Sequence, residues 1–388
     1  MVIRWHSARA SHTERMVYPA VDPSSMELPG KLGEGLSQPA VASTVEQSFP
    51  PGSLLEKTGR TVILPIENML PPGPGGAHLT PRRGRFYPSR LFAAGPGFNP
   101  QASQPLRVID VDPASLTLEL DHPLADRELE IELLPYAAAP GKSTGAVARR
   151  DPFGELLASG IGLQKPLAHG TDFYHQGAFD RHDPMKDMVF YRQQRMVAHI
   201  DQSASEEIAH IYGRDLQPGM RVLDLMSSWQ SHLPADIESL NVTGLGMNRA
   251  ELDANPRLEQ RLVHDLNQDS RLPFADNSFD VTLCSLSIEY LIDPLSVLRE
   301  VVRVTRPGGR LVVSFSNRCF PSKAIALWNE LHPFERVGLV LDLFLRTGGL
   351  VDVETESLQG QPRDADDLYA GQLAQGDPVF VVAATVSA

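Results

Sequence analysis

An acidic residue near the end of a short apolar stretch has the clearest chemical potential in this 388-residue sequence. Residues 221–225 (RVLDL) predict a buried strand, and Asp224 lies near its carboxyl end. Residues 226–229 (MSSW) follow as a loop with two small serine side chains. Because ligands of open α/β sheets bind beyond the carboxyl ends of the strands, this loop is predicted to hold a nucleotide-like ligand. The alternative interpretation is an ordinary strand followed by a polar turn.

A second set of chemically capable side chains lies upstream, at intervals of four residues. Tyr191, Arg195 and His199 share one face of a predicted helix, because residues four apart lie above one another. This helix is predicted over residues 187–200. His199 is the best candidate for a general base, since the ordinary pKa of histidine is near neutrality. The alternative is a solvated helix face with Tyr191 in the core.

Strands and helices alternate in the second half of the chain, which is typical of a parallel α/β sheet. Strands are predicted at residues 221–225, 242–247, 261–266, 279–285, 310–316, 350–357 and 379–386. The clearest helix is predicted over 293–305, with Asp293 as its N-cap and Pro294 in its first turn. Further helices are predicted at 205–212 (N-cap Ser203 or Ser205), 321–330 and 335–346. The last two strands predict a hairpin that closes a doubly wound sheet.

The first half of the chain is less regular. Residues 1–50 are rich in Pro, Ser and Gly and predict an irregular segment. Alternation of apolar and polar residues predicts strands at 61–66, 106–110, 116–120 and 128–134. The predicted organisation is therefore an irregular segment (1–50), a β-rich module (51–135), a linker (136–169) and an α/β domain (170–388).

Three motifs resemble those of class I S-adenosylmethionine-dependent methyltransferases. VLDL (222–225) resembles their first strand, and LPFADNSFD (272–280) resembles the run before the fourth strand. LREVVRVTRPGG (298–309) resembles the helix before the fifth strand in the ubiquinone-biosynthesis-like branch, methyltransferase type 11. The resemblance covers residues 180–388. It implies an α/β fold with a doubly wound, seven-stranded Rossmann-like domain, S-adenosylmethionine as cofactor and methyl transfer as the reaction.

A second resemblance concerns the β-rich module. Residues 116–133 (LTLELDHPLADRELEIEL) resemble the last strands of insert-in-flap prolyl isomerases of the FK506-binding-protein type. Asp121 and Asp126 depart from the usual Asn and Gly of the turn between those strands. The early segment that supplies the proline pocket of such isomerases is not found in residues 1–50. The resemblance therefore implies a degenerate FKBP-like module for docking or for capping a substrate.

The methyltransferase resemblance implies roles for residues at the ends of the strands. The loop after Asp224 faces the methionine part of the cofactor, and Asp265 contacts the adenine amino group. Asn248 stands where a ribose-binding acid is usual. Asn248 as the N-cap of a helix, and Asp265 as the cap of a turn, are the alternatives. The predicted cofactor-binding residues are Asp224, Leu225, Met226, Ser227, Ser228, Met247, Asn248, Asp265, Leu266, Ser285 and Arg195.

The acceptor side needs groups that orient a substrate and exclude water, and it needs a base only if the acceptor carries a proton. Arg195 is expected to pair with the cofactor carboxylate. The predicted catalytic residues are His199, Tyr191 and Tyr290. The predicted substrate contacts are Trp229, His232, Asn317 and Arg318. Cys319 is interpreted as a simply buried thiol, and no His and Cys residues are spaced like a metal site.

The composition of the chain limits which binding partners and which cellular location are expected. A net charge of −13 argues against nucleic acid or an anionic membrane as the main partner. Two cysteines, the lack of an apolar run of about 20 residues and the lack of a secretory signal predict a cytoplasmic protein. The expected acceptor is a small molecule, with a protein as second choice. The alternatives are a non-catalytic binding or chaperone-like protein with a methyltransferase fold, and a prolyl isomerase–methyltransferase fusion acting on a protein.

Overall fold

The computed structural model describes residues 1–18, 28–36, 44–69, 79–92, 104–134, 160 and 162–388. The predicted linker, 136–169, lies mostly outside the described residues.

The chain divides into two compact units, and neither is continuous in sequence. The first unit comprises Met1–Ser7, Ala20–His175 and His332–Gly338. The second unit comprises Ala8–Pro19, Gln176–Leu331 and Leu339–Ala388.

The strands are numbered in chain order. They are β1 (Val2–His6), β2 (Ala10–Met16), β3 (Val45–Phe49), β4 (Thr61–Pro65), β5 (Phe86–Pro88), β6 (Pro105–Val111), β7 (Ser115–Glu119), β8 (Leu129–Leu133), β9 (Arg221–Leu225), β10 (Asn241–Gly246), β11 (Gln260–Val263), β12 (Phe279–Ser285), β13 (Thr305–Phe315), β14 (Leu350–Gln359) and β15 (Val379–Val386). The α-helices are Gly30–Leu36, Asp187–Phe190, Gln202–Gly213, Arg249–Ala254, Pro294–Val304, Ala326–Glu330 and Pro333–Thr347.

The first unit contains two sets of paired strands. β4, β7, β6 and β5 form an antiparallel sheet in that order. β8 pairs antiparallel with both β1 and β3. A buried ion pair between Arg85 and Glu335, 2.8 Å long, lies in the same unit. The strands predicted between 61 and 134 are therefore found, while the FKBP-like character of residues 51–135 stays a prediction.

The second unit carries a doubly wound sheet. Its strand order is β11-β10-β9-β12-β13-β15-β14-β2. β9 to β13 are parallel to their neighbours within that group, and β15 runs antiparallel between β13 and β14. The order turns back between β9 and β12, which is a topological switch point where ligands bind in such sheets. The seven predicted strands are found as β9 to β15 with the expected antiparallel C-terminal pair, and β2 adds an eighth strand in this unit.

β2 corrects the prediction that residues 1–50 are irregular. This strand pairs in parallel with β14. Its inward positions are Ala10, His12 and Glu14, so the apolar alternation that marks a strand is missing from its sequence. The buried His12 is satisfied by the hydroxyl of Thr355, 2.8 Å from its Nδ1 atom. Polar pairing therefore replaces apolar packing here, and composition alone does not reveal it.

The two longest motif runs bind each other. Arg303, on the helix Pro294–Val304, donates to the carbonyl of Leu272 at 3.0 Å and pairs with Asp276 at 2.7 Å. Asp280 pairs with Arg221 at 3.0 Å, and the hydrogen bonds from this guanidinium hold the pKa of Asp280 well below its usual value. These contacts therefore hold residues 272–280 in place where they lead into β12.

The helix predicted over 187–200 is wrong beyond its first turn, because the α-helix ends at Phe190. The carbonyl of Phe190 accepts a hydrogen bond of 3.2 Å from the Arg195 guanidinium. The carbonyls of Tyr191 and Arg192 accept from the Asn248 amide, at 2.8 and 3.2 Å. Side-chain donors thus occupy the carbonyls that a continuing helix would bond to its own N–H groups. Tyr191, Arg195 and His199 consequently do not share a helix face.

Other helix boundaries also shift. The helix predicted at 205–212 is Gln202–Gly213, and its N-cap is Asp201, which accepts from the Ala204 amide at 2.8 Å. Neither predicted serine caps it. The helix predicted at 321–330 is limited to Ala326–Glu330.

The N-cap of the helix Pro294–Val304 gives a stability prediction. Asp293 accepts a hydrogen bond from the Ser296 amide at 3.2 Å, as the sequence predicted. Asp293→Ala removes this acceptor, and we expect the free energy of unfolding to fall by about 1 kcal/mol. Urea denaturation measures the change. Arg299→Ala, at an exposed position of the same helix, is the control and is expected to stay within about 0.5 kcal/mol of wild type. Equal losses in both variants would contradict the capping role.

Candidate functional site

A cavity of about 450 Å³ opens at the carboxyl ends of the central strands of the second unit. Asp224, Gly246, Asp265 and Ser285 line it, and they lie at or just beyond the ends of β9, β10, β11 and β12. This volume is typical of sites for small molecules. The cavity therefore lies at the switch point of the sheet, where the sequence predicted a ligand.

Three residues in the left-handed backbone region surround this cavity. Met226, His232 and Leu286 have φ values of 59°, 47° and 52°. All three line the cavity. This conformation is uncommon for residues other than glycine and is found mostly where the surrounding structure enforces it. Half of the six non-glycine residues with positive φ in the described part of the chain therefore lie at this cavity. The φ values also show that Met226, rather than either serine, takes the turn after Asp224.

Asp224 is buried and bonded by two serines. Its Oδ2 atom accepts hydrogen bonds from the hydroxyls of Ser227 and Ser231, each 2.6 Å long. Ser231 in turn accepts from the Asn255 amide at 2.7 Å. Burial raises the pKa of Asp224 to about 6, although the two hydroxyls act in the opposite direction. The serines of the loop therefore act as hydrogen-bond donors that hold the strand-end carboxylate.

The last residue of β10, Gly246, lines the cavity without a side chain. A Cβ atom at Gly246 would lie 2.1 Å from the carbonyl oxygen of Ser227, so glycine is required there. Asn248 caps the helix Arg249–Ala254, because its Oδ1 atom accepts from the amides of Ala250 and Glu251. Its Nδ2 atom is bonded as well, as described above. The N-cap interpretation of Asn248 is confirmed, and the ribose role predicted for it is corrected.

Two further predicted residues lie outside the cavity. Leu225 is buried in the sheet, with 2% of its surface exposed. Trp229 donates its indole N–H to the Val197 carbonyl at 3.2 Å and lines a separate cavity of about 700 Å³. His232 borders both cavities. Trp229 therefore does not line the first cavity, contrary to the prediction that it contacts a substrate there.

The remaining predicted residues line the first cavity. They are Tyr191, Arg195, His199, Asp224, Met226, Ser227, Ser228, His232, Met247, Asp265, Leu266, Ser285, Tyr290, Asn317 and Arg318. Cys319 lines it too, and is only partly buried. Asp265 also accepts from the Asn267 amide at 3.0 Å through Oδ1, so it holds the following turn as the alternative interpretation proposed.

One wall of the cavity is aromatic. The ring of Phe320 lies 5.7 Å from His199 and 6.1 Å from Tyr290. The Arg195 guanidinium lies 4.4 Å above the ring of Phe190, which is in turn 5.8 Å from Phe320. A planar group of a ligand can stack against this wall.

Protonation states follow from burial. Burial raises the pKa values of Tyr191 and Tyr290 well above the usual range, so both stay protonated at neutral pH. Burial lowers the pKa of His199, and it lowers that of His232 to about 4. Both histidines are therefore neutral at pH 7. His232 has its Nδ1 atom 2.8 Å from the Ser205 hydroxyl. Of the three predicted catalytic residues, His199 alone can accept a proton in this range.

The sequence reasoning missed several lining residues. They include Asp187, Glu251, Phe320 and Tyr369. Glu251 lies in the first turn of a helix that follows a strand end, which is a usable signal. Tyr369 lies between β14 and β15, with Arg318 stacked 4.8 Å from its ring, and no pattern marks it. Asp187 is neutralised by Arg181 at 2.7 Å and by the fully buried Lys323 at 3.3 Å.

The described part of the chain offers neither a metal site nor a membrane-spanning helix. No three His, Cys, Asp or Glu residues within it cluster as metal ligands. None of its helices is long and apolar enough to cross a bilayer.

Comparison with known proteins identifies the domain around this cavity. Residues 226–313 match the family model of a methyltransferase domain. A demethylmenaquinone methyltransferase of Paenarthrobacter aurescens is 31% identical over 119 residues, which are 30% of this chain and 46% of the relative. That of Renibacterium salmoninarum is 36% identical over 105 residues, 26% of this chain and 44% of the relative. This chain thus spans less than half the length of these curated relatives. The match supports the predicted methyltransferase domain over residues 226–313.

Among solved structures, an S-adenosylmethionine-dependent methyltransferase of Aquifex aeolicus has a TM-score of 0.32 and 18% identity. The match covers 48% of this chain and 94% of that one.

Asp224 gives a prediction on the pH dependence of stability. Its pKa is about 6 in the fold and about 3.8 in an unfolded chain, so the unfolded chain loses this proton first as the pH rises. The carboxylate therefore lowers the free energy of unfolding progressively between about pH 4 and pH 6, by about 3 kcal/mol in total. Asp224→Asn removes this contribution.

Urea denaturation of wild type and Asp224→Asn from pH 4 to pH 8 measures the difference. We expect the variant to gain stability relative to wild type as the pH rises to 6, and then to keep a constant lead. Asp269→Asn, at an exposed carboxylate, serves as the control and follows wild type. Parallel curves for wild type and Asp224→Asn would show that Asp224 is not a buried titrating group.

Proposed function

We propose that this protein is an S-adenosylmethionine-dependent methyltransferase that acts on a small-molecule acceptor in the cytoplasm. One observation carries the proposal. The residues that match the methyltransferase domain, 226–313, supply most of the lining of the cavity at the sheet's switch point. Family match and cavity are independent findings, and they fall on the same residues.

The side chains around the cavity fit the parts of this cofactor. Asp265 has a carboxylate for the adenine amino group, and Arg195 has a guanidinium for the methionine carboxylate. Within the described residues, Arg195 forms no ion pair with an acidic side chain, so its charge is available to a ligand. The bound cofactor supplies an electrophilic methyl group.

The aromatic wall indicates the class of acceptor. Tyr290 and Phe320 offer ring faces, and Asn317 and Arg318 offer hydrogen-bond donors nearby. A planar ring with oxygen substituents suits this combination. Because the curated relatives are named for demethylmenaquinone, quinone-type rings are the first acceptors to test.

His199 is the base in this proposal. It is neutral at pH 7 and packs edge-on against Phe320. An acceptor that carries a proton at its methylated atom transfers it to the imidazole. Tyr191 and Tyr290 orient the acceptor rather than take the proton, because their pKa values are raised.

Residues 51–135 enter the proposal as an FKBP-like docking module without isomerase activity. The motif in 116–133 supports this role, and its altered turn at Asp121 and Asp126 argues against catalysis.

Cofactor binding is tested first. Asp265→Ala removes the adenine contact, and we expect the affinity for S-adenosylhomocysteine to fall about 10- to 100-fold, as for loss of a hydrogen bond to a charged group. Isothermal titration calorimetry gives the dissociation constants. Asp269→Ala removes an exposed acid on the same segment and is expected to bind like wild type. If wild type itself fails to bind S-adenosylhomocysteine, the proposed function is lost.

The base is tested by kinetics with a reduced quinone as acceptor. His199→Asn is expected to lower kcat about 10²- to 10⁴-fold with little change in KM for the cofactor, because proton transfer is lost while binding remains. The wild-type kcat stays flat between pH 7 and 8, since burial keeps His199 neutral there. His182→Asn, at an exposed histidine of the preceding segment, is the control. A normal kcat in His199→Asn would move the base elsewhere.

A further inference from the structure

The end of β10 lacks a free acidic or amide group for a ribose. Gly246 must remain without a side chain because of the close Ser227 carbonyl. Asn248 has its Oδ1 atom bonded to two helix amides and its Nδ2 atom bonded to two carbonyls. A sugar hydroxyl therefore finds no partner at the position where dinucleotide-type sites place one.

Glu251 lies one turn beyond that position and does line the cavity. It is the third residue of the helix Arg249–Ala254, with 9% of its surface exposed. Its Oε1 atom accepts from the backbone amide of Arg195 at 2.7 Å. Its Oε2 atom accepts from the hydroxyl of Ser228 at 2.7 Å. Two separate segments of the cavity wall thus hold the carboxylate in one orientation.

The carboxylate retains capacity for a ligand. Each oxygen of an ionised carboxylate has two lone pairs, and each oxygen of Glu251 accepts one hydrogen bond from the protein. Within the described residues, two acceptor positions therefore remain, one on each oxygen. A pair of neighbouring hydroxyl groups donates two hydrogen bonds at a matching spacing, and charge makes such bonds roughly twice as strong as those of an amide.

The other acids of the cavity are differently engaged. Asp187 is neutralised by Arg181 and Lys323. Asp224 is sealed by two serine hydroxyls. Asp265 follows β11, the strand on the far side of β10 from β9. Glu251 is therefore the acid that lies next to β10 and the loop after β9.

We propose that Glu251 binds the two ribose hydroxyls of the adenosine moiety, as an acid moved one helical turn from the strand end. This inference rests on the proposed function and names the residue that recognises the sugar. Ser228 and Arg195 are positioning groups in this arrangement, because they hold the carboxylate and leave one lone pair on each oxygen.

The test varies the carboxylate and the hydroxyls together. The ligands are S-adenosylhomocysteine, 5′-methylthioadenosine, which lacks the amino acid, and 5′-methylthio-2′,3′-dideoxyadenosine, which lacks the hydroxyls as well. Calorimetry with the full chain measures their affinities for wild type, Glu251→Gln and Asp253→Asn. Asp253 lies on the same helix, pairs with Arg249 and is half exposed, so it is the matched control.

We expect Glu251→Gln to weaken the first two ligands about tenfold, as for the loss of about 1.4 kcal/mol. The dideoxy ligand is expected to bind Glu251→Gln and wild type equally, because it has no hydroxyls to lose. Asp253→Asn is expected to match wild type throughout. Glutamine keeps the shape of the side chain and an oxygen acceptor, and thermal unfolding checks that the variant is folded.

Four outcomes overturn the inference. Equal weakening of all three ligands shows that Glu251 acts only by holding the loop. Weakening of S-adenosylhomocysteine alone shows that Glu251 binds the ammonium group of the amino acid. Unchanged affinities in Glu251→Gln contradict the inference. Binding of S-adenosylhomocysteine to wild type then still supports the proposed function. Absence of S-adenosylhomocysteine binding to wild type removes both.

Discussion

The buried carboxylate of Asp224 is the constraint on which the rest of the site depends. An acid with so little access to water needs hydrogen bonds to stay in the fold, and two serine hydroxyls supply them. Ser227 and Ser231 are four residues apart, so the loop after β9 has to curl back on itself to bring both to one oxygen. The left-handed conformation of Met226 turns the chain at the start of that curl. The loop is therefore long because it is tied to the strand end twice.

That loop then determines its neighbours. Ser227 donates its amide to the Leu245 carbonyl at 2.8 Å and brings its own carbonyl against Gly246. The tight contact leaves β10 without a side chain at its last position. The next residue, Ser228, donates its hydroxyl to the Glu251 carboxylate in the helix after β10, at 2.7 Å. The serines of the loop, the glycine that ends β10 and the acid in the following helix are thus parts of one arrangement.

Much of the second unit could be predicted from the sequence, because its strands are apolar on both faces and its turns carry Gly, Pro or Asp. β2 could not, since His12 and Glu14 point inward and remove the alternation. The helix expected beyond Phe190 shows a different limit. The four-residue spacing of Tyr191, Arg195 and His199 is real, yet Arg195 and Asn248 occupy the carbonyls of 190–192. These three residues reach the cavity along an irregular segment. The four-residue spacing identified side chains that reach the cavity. Hydrogen bonds from side chains elsewhere in the chain determine the backbone conformation that carries them.

The cavity wall brings a cation, a carboxylate and aromatic rings close together. Arg195 is a cation without an acidic partner in the described residues, and Glu251 accepts from the backbone amide of that same residue. The side-chain cation and the carboxylate thus meet at one residue, and they suit an anionic and a hydroxyl-bearing part of one molecule. Phe320 lies 5.4 Å from the same guanidinium and 6.1 Å from the ring of Tyr290. Burial and the neighbouring guanidinium both lower the pKa of His199, so a neutral imidazole adds no second positive charge beside Arg195. The burial that fits His199 for its proposed role as a base thus also limits the positive charge in this part of the cavity.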